Sequence, residues 1–224
     1  MSRTYQELID ACTINYELFR GDISNRGTTN MGASIVAGAP QFQRRGNSVN
    51  LVTTSRTVAQ GFSGALSTRI VDVTTQFVVE FAVTFGVLSS YVLYQVQGGG
   101  LGGGVSVYFN GGANIYLFTF TAAAGNARLV NCVVPNPLAF THHYVMWLDP
   151  VGLTGQIWVD NIPVVTTFTN TNPPVNGVSG LYVMSATAAI QSLNHVRAWQ
   201  GALDAAEVAT LYNAYSTLTV PSKV

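Results

Sequence analysis

The end of the chain, residues 194–215 (NHVRAWQGALDAAEVATLYNAY), carries the signal that most constrains the fold. Asp204 stands where a helix N-cap belongs, and Glu207 follows three residues later, which is the spacing of a capping box. Leu203 before the cap and Val208 within the helix can close a hydrophobic staple across that box. The apolar residues then recur on one helical face: Val208, Leu211, Tyr212 and Tyr215. The pattern predicts a strand, a short turn and one amphipathic helix that lies against a sheet.

Before this helix, the sequence predicts a series of short β-strands. Apolar residues recur at every second position through Phe77–Phe85, which indicates a strand with one strongly buried face. Similar segments are Tyr91–Val96, Val105–Phe109, Ile115–Thr121, Arg128–Val134, Tyr144–Asp149, Gln156–Asp160, Val164–Phe168 and Leu181–Met184. Turns rich in Gly, Asn and Pro separate them, which favours a sandwich or jelly roll over a parallel α/β sheet.

Three patches of the sequence share a recognisable pattern. The first is the closing strand and helix, with Val196, Arg197, Trp199, Ala202, Leu203, Asp204, Glu207, Val208, Leu211 and Tyr212. The second is Tyr144–Pro163 (YVMWLDPVGLTGQIWVDNIP), an apolar strand and a glycine-bearing turn that lead into a second strand. The third is Asp22–Gly27 (DISNRG). Together they resemble laminin-G-like domains of the concanavalin A-like superfamily, although Asn161 stands where the family's hairpin has glycine.

The resemblance implies an all-β fold, namely a two-sheet antiparallel jelly-roll sandwich of the concanavalin A-like type with a short C-terminal helix. We expect an N-terminal arm over residues 1–15 and one laminin-G-like domain over residues 16–224. Leu8, Ile9 and Cys12 would share one face of a short helix in the arm. That helix would pack either on another subunit or on the chain's own sandwich.

Charge is scarce and balanced along the chain. Ten basic and ten acidic residues cancel, and charged residues make up 9 % of the total, against about 25 % in an average soluble domain. No net field would attract nucleic acid or an anionic membrane, and no apolar run is long enough to span a bilayer. Such a surface is typical of proteins that are covered by other subunits or that work outside the cytoplasm.

The cysteines and the N-terminus bear on the compartment. Cys12 and Cys132 form no C-x-x-C pair, so two buried thiols are expected, and the sequence leaves open whether they pair. Met1–Ala11 lacks the apolar segment of a signal peptide. The sequence therefore predicts synthesis in a cytosol.

Motifs for catalysis and cofactor binding are weak. Gly98–Gly104 (GGGLGGG) precedes a predicted strand rather than a helix, which favours a hairpin loop over a phosphate-binding turn. His142 and His143 are adjacent and should point to opposite faces of a strand, while His195 lies far away in sequence. Glu80 is the one acid inside a long strand, without the second carboxylate that glycosidases need. These observations predict a non-enzymatic protein, with a glycoside hydrolase as the weaker alternative.

Calcium is the metal that the resemblance suggests. Asp22, Ser24 and Asn25 could supply oxygen ligands, together with Asp149 or Asp160. Turn formation accounts for the same residues equally well, because Asp and Asn bond their own backbone. The sequence therefore assigns no calcium ligand.

Glycan recognition would need aromatic rings beside polar groups on a sheet face or a loop rim. The candidates for glycan contact are Tyr91, Tyr94, Tyr108, Trp158, Asp160 and Tyr182. Trp158 and Asp160 are expected on the same strand face. Packing within a β-sandwich is the competing explanation for each ring.

Three expectations together favour a virion protein: a fold typical of extracellular recognition, synthesis in a cytosol, and a surface with few charges. The leading hypothesis is a non-enzymatic structural or adhesion subunit at the virion surface, such as a phage capsid decoration or fibre protein. Its partners would be other virion subunits or copies of itself, and a host-surface glycan, without nucleic acid or membrane insertion. The arm and the loop Gly98–Gly104 would be its assembly contacts. The alternative is a free lectin-like carbohydrate-binding module.

Overall fold

The computed structural model describes residues 2–28, 34–35, 41–45, 48–52, 62–65, 71–85, 90–95, 105–109, 114–120, 126–133, 141–170, 180–183 and 190–219. The strands are β1 (Ile14–Tyr16), β2 (Ser34–Ile35), β3 (Gln41–Arg45), β4 (Ser48–Val52), β5 (Phe62–Ala65), β6 (Phe77–Phe85), β7 (Ser90–Gln95), β8 (Val105–Phe109), β9 (Asn114–Phe120), β10 (Asn126–Val133), β11 (His142–Asp149), β12 (Thr154–Val159), β13 (Ile162–Val164), β14 (Thr167–Asn170), β15 (Gly180–Val183) and β16 (Ile190–Gln200). The helices are α1 (Tyr5–Asp10) and α2 (Ala205–Thr219), with a 3-10 turn at Leu18–Arg20.

The strands form two antiparallel sheets. The order in the first sheet is β13-β12-β11-β6-β16-β4-β3, with β1 also paired to β16. The order in the second sheet is β14-β10-β9-β8-β7-β15-β5-β2. Among the described strands each sheet ends in two edge strands, so neither sheet closes on itself. The prediction of a mostly-β antiparallel fold with a C-terminal helix is confirmed.

Side chains of both sheets meet in one core. Phe77, Val79 and Phe81 of β6 are fully buried, and they belong to the same apolar cluster as Val107 and Phe109 of β8. Successive side chains of a strand point to opposite faces. Each sheet therefore has an inner face toward this core and an outer face away from it. The alternation that the sequence predicts for β6 is present.

The observed strands agree with the predicted ones within two residues, with one correction. Val164–Phe168 is expected as one strand, but β13 ends at Val164 and β14 begins at Thr167. These strands belong to different sheets, so the chain crosses between the sheets at Val165 and Thr166. Val165 is 94 % exposed, as expected for a crossing residue outside both ladders. The short strands β1 to β5 have no counterpart among the predictions.

Helix α2 begins with both hydrogen bonds of a capping box. The backbone N–H of Glu207 donates to Oδ1 of Asp204 at 2.8 Å, and the backbone N–H of Asp204 donates to Oε2 of Glu207 at 3.0 Å. Leu203, Val208 and Leu211 are buried in one apolar cluster on the outer face of the first sheet. The cap fixes where the helix starts, and the cluster fixes which of its faces lies on the sheet. Within the described residues, neither helix is long and apolar enough to cross a membrane.

The N-terminal segment packs on its own chain. Thr4 and Glu7 form a second capping box at the start of α1. Leu8 and Cys12 are fully buried in the same cluster as Trp199 of β16. The indole N–H of Trp199 donates to the backbone carbonyl of Leu8 at 2.5 Å. Of the two placements considered for this helix, the structure has the one on the chain's own sheet.

Both cysteines are free and buried, as expected for apolar thiols. Cys12 lies in the cluster under the helices, whereas Cys132 lies in the core between the sheets. Burial raises the pKa of both thiols, that of Cys132 to about 12. The two side chains therefore lie on opposite sides of the first sheet.

Candidate functional site

Tyrosines of three neighbouring strands are paired directly across the second sheet. Tyr108 in β8 lies between Val107 and Phe109, which are fully buried in the core, so Tyr108 belongs to the outer face. Its side chain is partly exposed. Directly paired residues of antiparallel strands share a face. Because Tyr108 is paired with Tyr91 of β7 and with Tyr116 of β9, all three residues lie on this outer face.

A bulge in β7 keeps two tyrosines on the same face. Tyr91 and Tyr94 are three residues apart and would lie on opposite faces of a regular strand. The register between β7 and β8 shifts between Tyr91 and Leu93, and Tyr94 is paired with Ser106, an outer-face position of β8. Tyr94 is paired in turn with Tyr182 of β15. The bulge therefore extends the outer-face row to a fourth strand.

The outer face of the second sheet thus carries a row of tyrosines, which we call the tyrosine face: Tyr182, Tyr94, Tyr91, Tyr108 and Tyr116. The same pairing places Ser63 and Asn131 on this face. Phenol rings combine a flat apolar surface with a hydroxyl group, and serine and asparagine add hydrogen-bonding groups. Four of the five tyrosines are predicted contact residues. Tyr116 was missed, although it follows Ile115, a core residue, by one position.

The other two predicted contact residues lie in strand β12 of the first sheet and in the turn that follows it. Trp158 in β12 is partly buried beside the cluster under α2. Strand β12 ends at Val159, and Asp160 and Asn161 form the following turn with φ values of 51° and 66°. Two consecutive left-handed residues are typical of a type I′ hairpin, where asparagine is tolerated in place of glycine. The expectation that Trp158 and Asp160 share a strand face is therefore wrong.

A row of buried polar side chains crosses the outer face of the first sheet beneath α2. Glu80 of β6 accepts hydrogen bonds from Nη1 of Arg197 on both oxygens, at 3.3 and 3.2 Å. Nε2 of His143 and Nε2 of His195 lie 2.8 and 3.2 Å from Oε1 of Glu80. The ring of Tyr215 from α2 stacks on His143, with 5.1 Å between centroids. We call Glu80, His143, His195 and Arg197 the Glu80 network.

Burial and Arg197 together set the ionisation of this network. Burial raises the pKa of Glu80, but the charge of Arg197 and the contacts of the two histidines outweigh it and hold the pKa well below its usual value. Burial, reinforced by Arg197, lowers the pKa of His195 to about 4 in spite of the nearby carboxylate. At neutral pH the network therefore contains a carboxylate, a guanidinium and a neutral His195 imidazole.

Sequence reasoning missed that three possible metal ligands converge in the network. Glu80, His143 and His195 each offer one ligand atom, and these atoms lie within 4.8 Å of one another. Such a set would suit zinc by type. However, Arg197 already balances the charge of Glu80, and a cation placed there would face the guanidinium at short range. The contacts therefore favour an ion-paired core over a metal centre.

Three of the residues considered for calcium, Asp22, Asn25 and Asp149, use side-chain oxygens within turns. Asp22 accepts from the backbone N–H of Ser24 at 2.9 Å and pairs through both oxygens with Arg26. The side chains of Asn25 and Asp149 likewise accept backbone N–H groups of their own turns. This is the turn chemistry that the sequence offers as the alternative. Calcium binding stays a prediction without an assigned ligand.

The glycine-rich loop 98–104, which the sequence suggests as an assembly contact, lies outside the described residues.

A cleft of about 490 Å³ opens between α1, the segment that follows β1, and the last turns of α2. Its lining includes two aromatic and four polar or charged residues: Tyr5, Asn15, Glu17, Phe19, Arg20 and Arg26. Sequence reasoning missed this cleft, because its walls come from the two ends of the chain. Only the folded first sheet brings α1 and α2 together.

Glu17 connects the cleft to the Glu80 network. Nη2 of Arg197 donates to Oε1 of Glu17 at 3.4 Å and to the Tyr5 hydroxyl at 3.1 Å. Nε of Arg20 donates to the second oxygen of Glu17. Burial raises the pKa of Glu17, but the hydrogen bond from Arg20 and the charge of Arg197 outweigh it, so the pKa is lowered. The cleft therefore has an ionised carboxylate at its floor.

No protein-family profile and no curated protein matches the sequence. Solved structures show the fold instead. A crystal structure of a receptor-binding domain has a TM-score of 0.73 at 9 % identity, covering 94 % of this chain and 52 % of that chain.

Two botulinum neurotoxin structures are similar in the same way. Neurotoxin type C, which depends on two ganglioside molecules to enter cells, gives a TM-score of 0.71 at 8 % identity, covering 93 % of this chain and 52 % of that chain. The serotype G binding domain gives 0.70 at 12 % identity, covering 92 % and 51 %. Identities this low show a shared fold alone. The chain spans about half the length of each of these structures.

Proposed function

We propose that this chain is a non-enzymatic carbohydrate-binding adhesion module that contacts glycans through the tyrosine face. The observation that carries the proposal is the strand register, which aligns five tyrosines on one outer face of the second sheet. The outer face of a sheet is usually polar, so five tyrosines at paired positions of one face support a binding surface there. Rings of this kind can stack on the apolar faces of sugars, while their hydroxyl groups bond to sugar hydroxyls.

The structural neighbours support the same class of function. One of these structures is described as a receptor-binding domain, and cell entry of neurotoxin type C depends on interaction with gangliosides, which are glycan-bearing lipids. The likeness concerns the fold, so the sugar specificity of the neighbours is not carried over to this chain. The tyrosine face supplies the local reason for expecting a glycan here.

The buried acids support binding without turnover. Glycoside hydrolysis by two carboxyl groups needs one of them protonated, with a raised pKa, to serve as the general acid. Glu80 and Glu17 both have lowered pKa values, because arginines hold them ionised. Neither is suited to protonate a leaving group. We therefore propose that bound sugar is released unchanged.

The test is glycan binding by the full chain and by two variants of Tyr108, whose side chain is partly exposed. Tyr108→Ala removes the ring, whereas Tyr108→Phe keeps the ring and removes only the hydroxyl. We expect Tyr108→Ala to weaken binding to the best glycan of an array about tenfold or more, because stacking on one aromatic side chain is worth about 1–3 kcal/mol. Tyr108→Phe should keep most of the affinity.

Two results would overturn the proposed function. Binding that is equal for wild type and Tyr108→Ala would remove the tyrosine face from recognition. Release of reducing sugar from a glycan that the chain binds would show that it is an enzyme. Circular dichroism of each variant shows whether the β-structure is retained, so a loss of binding is separated from a loss of fold.

The proposal includes a narrower structural assignment: residues 16–224 form a laminin-G-like jelly-roll sandwich of the concanavalin A-like type. It is supported by the capping box of α2, by the type I′ turn at Asp160 and Asn161, and by two sheets that share a core. An experimental structure that traces all connections between the sheets is the test. A strand order other than that of a jelly roll would contradict it.

We further propose that the module acts at a virion surface, next to other virion subunits or copies of itself. The charge content of 9 % and the zero net charge support a chain whose surface is partly covered in an assembly. Light scattering after size exclusion and mass spectrometry of purified particles test it. A monodisperse monomer that is missing from particles would leave the free lectin-like module as the function.

A further inference from the structure

We propose that the cleft between α1 and α2 is a second ligand site, which binds the end of a neutral saccharide. It lies on the outer side of the first sheet, whereas the tyrosine face lies on the outer side of the second sheet, with the common core between them. The choice of a saccharide rests on the proposed function, but the site itself rests on separate residues. Its volume of about 490 Å³ is within the range of small-ligand pockets, about 300–1,000 Å³.

The floor of the cleft is polar, buried and held in place. Asn15 and Glu17 are 1 % and 4 % exposed. Glu17 is fixed by Arg20 on one oxygen and by Arg197 on the other. Nε of Arg197 also donates to Oδ1 of Asn15 at 3.0 Å. Polar groups fixed in this way keep their positions before a ligand arrives, which reduces the ordering cost of binding.

The walls of the cleft are aromatic. Tyr5 and Phe19 are both partly exposed on the lining. The guanidinium of Arg20 lies over the Phe19 ring, 5.6 Å from its centroid, and that of Arg197 lies 5.8 Å from the centroid of Tyr5. The two rings are therefore held by neighbouring cations while part of each surface stays open. Rings beside planar hydrogen-bonding groups can hold the apolar face and the hydroxyl groups of one sugar residue at the same time.

The charges of the lining favour a neutral ligand. Arg20 is paired with Glu17, and Arg26 is paired with Asp22. Nε of Arg20 is bonded to Glu17, and among the described residues its terminal nitrogens have no hydrogen-bond partner. These nitrogens can donate hydrogen bonds to ligand hydroxyls, and the carboxylate oxygens of the lining can accept hydrogen bonds from ligand hydroxyls. Because Glu17 is held by Arg20 and Arg197, and Arg26 is held by Asp22, these charges offset one another and give neither an anion nor a cation a strong attraction. A polyhydroxylated neutral group meets both donors and acceptors.

A blocking variant and a matched control test the cleft. Ala214 of α2 lines the cleft and is partly exposed, so Ala214→Trp should fill it. Asn213, the preceding residue, is exposed and lies outside the lining, so Asn213→Trp adds the same ring to the same helix. Arg20→Ala removes the open donors. The probes are lactose, cellobiose, maltotriose and chitobiose, with sialyllactose and a glucuronic acid disaccharide as acidic counterparts, titrated by calorimetry.

We expect the wild type to bind two equivalents of at least one neutral probe. Ala214→Trp should bind one equivalent, Arg20→Ala should lose about tenfold in affinity at one of the two sites, and Asn213→Trp should behave as wild type. Tyr108→Ala should still bind one equivalent of the probe at the cleft. Binding that only Ala214→Trp and Arg20→Ala reduce would support the cleft and overturn the tyrosine face.

Three outcomes would overturn the inference. If only Tyr108→Ala reduces binding, the cleft is excluded while the proposed function stands. If the acidic probes bind the cleft at least tenfold more tightly than the neutral ones, the assignment of a neutral ligand is wrong. If no probe binds at all at millimolar concentration, the cleft site and the glycan-binding function are both rejected for these sugars.

Discussion

Arg3 and Glu207, which are 204 residues apart in sequence, form a two-point ion pair in which Nε and Nη2 of Arg3 donate to Oε1 and Oε2 of Glu207 at 2.7 and 3.0 Å. The same carboxylate closes the capping box with Asp204. The hydrogen bond from Arg3 outweighs burial and lowers the pKa of Glu207 to about 2. The N-terminal segment is thus tied to the start of α2 by a pair that stays ionised far below neutral pH.

The first prediction is that the N-terminal segment contributes to stability. Leu8 is fully buried beside Trp199, so Leu8→Ala should lower the free energy of unfolding by about 2–5 kcal/mol. Gln6→Ala, at an exposed position of the same helix, should change it by less than about 0.5 kcal/mol. Urea unfolding followed by tryptophan fluorescence measures both. Equal small effects would mean that α1 is not docked in solution.

The second prediction concerns the cap of α2. Asp204→Ala should lower the free energy of unfolding by about 1 kcal/mol, because it leaves the backbone N–H of Glu207 without its acceptor. Asp204→Asn keeps an acceptor oxygen and should cost only a few tenths. The two variants are compared by thermal unfolding. Equal losses for Asn and Ala would show that the charge of Asp204, and not its hydrogen bond, is what stabilises the helix.

These local features were predictable because their signals lie within a few residues of each other. The capping box needs only Asp204 and Glu207, and the buried face of β6 follows from the alternation of apolar residues along the strand. The hairpin turn at Asp160 and Asn161 also uses residues that tolerate a left-handed backbone, although Asp160 was expected to lie at the end of the strand. Such patterns depend on local geometry, so one sequence suffices to find them.

The sites depended on register and on contacts between distant segments. His143 and His195 are 63 and 115 residues from Glu80, and they meet only because β11, β6 and β16 are neighbours in the first sheet. The tyrosine face depends on a bulge after Tyr91 that no local sequence pattern predicts. A shift of one residue would move each ring to the other face. Individual tyrosines could therefore be proposed from the sequence, but not their common surface.

The third prediction is that Glu80 is needed for stability. Glu80→Gln would remove one of the two buried carboxylates that face the buried Arg197, and breaking a buried pair in this way costs about 3–5 kcal/mol. Asp10→Asn, at an exposed acid, serves as the control and should cost less than about 0.5 kcal/mol. Chemical unfolding measures both. A wild-type stability of Glu80→Gln would show that Glu17 alone can balance Arg197.

The last prediction is a loss of stability in mild acid that originates at His195. The groups facing this imidazole are Glu80, Arg197, His143, Asn194 and Tyr215.

Its pKa is lowered from 6.5 to about 4 in the folded chain, mainly by burial. Between these two values the unfolded chain binds the proton and the folded chain does not, so stability is complete above pH 6.5 and falls as the pH approaches 4. The span of about 2.5 pKa units corresponds to about 3 kcal/mol. Carboxyl groups with lowered pKa values, such as Glu80 and Glu207, add their losses only below their unfolded values near 4.5. Carboxyl groups therefore contribute little between pH 6.5 and 4.5, and the share of His195 in this window is isolated by replacing it.

Urea unfolding at half-unit pH steps between pH 6.5 and 4.5 should show the decline in stability in wild type and in Gln6→Ala. The decline should be largely absent in His195→Gln, which is expected to be less stable at pH 7. An undiminished decline in His195→Gln would place the titrating group elsewhere.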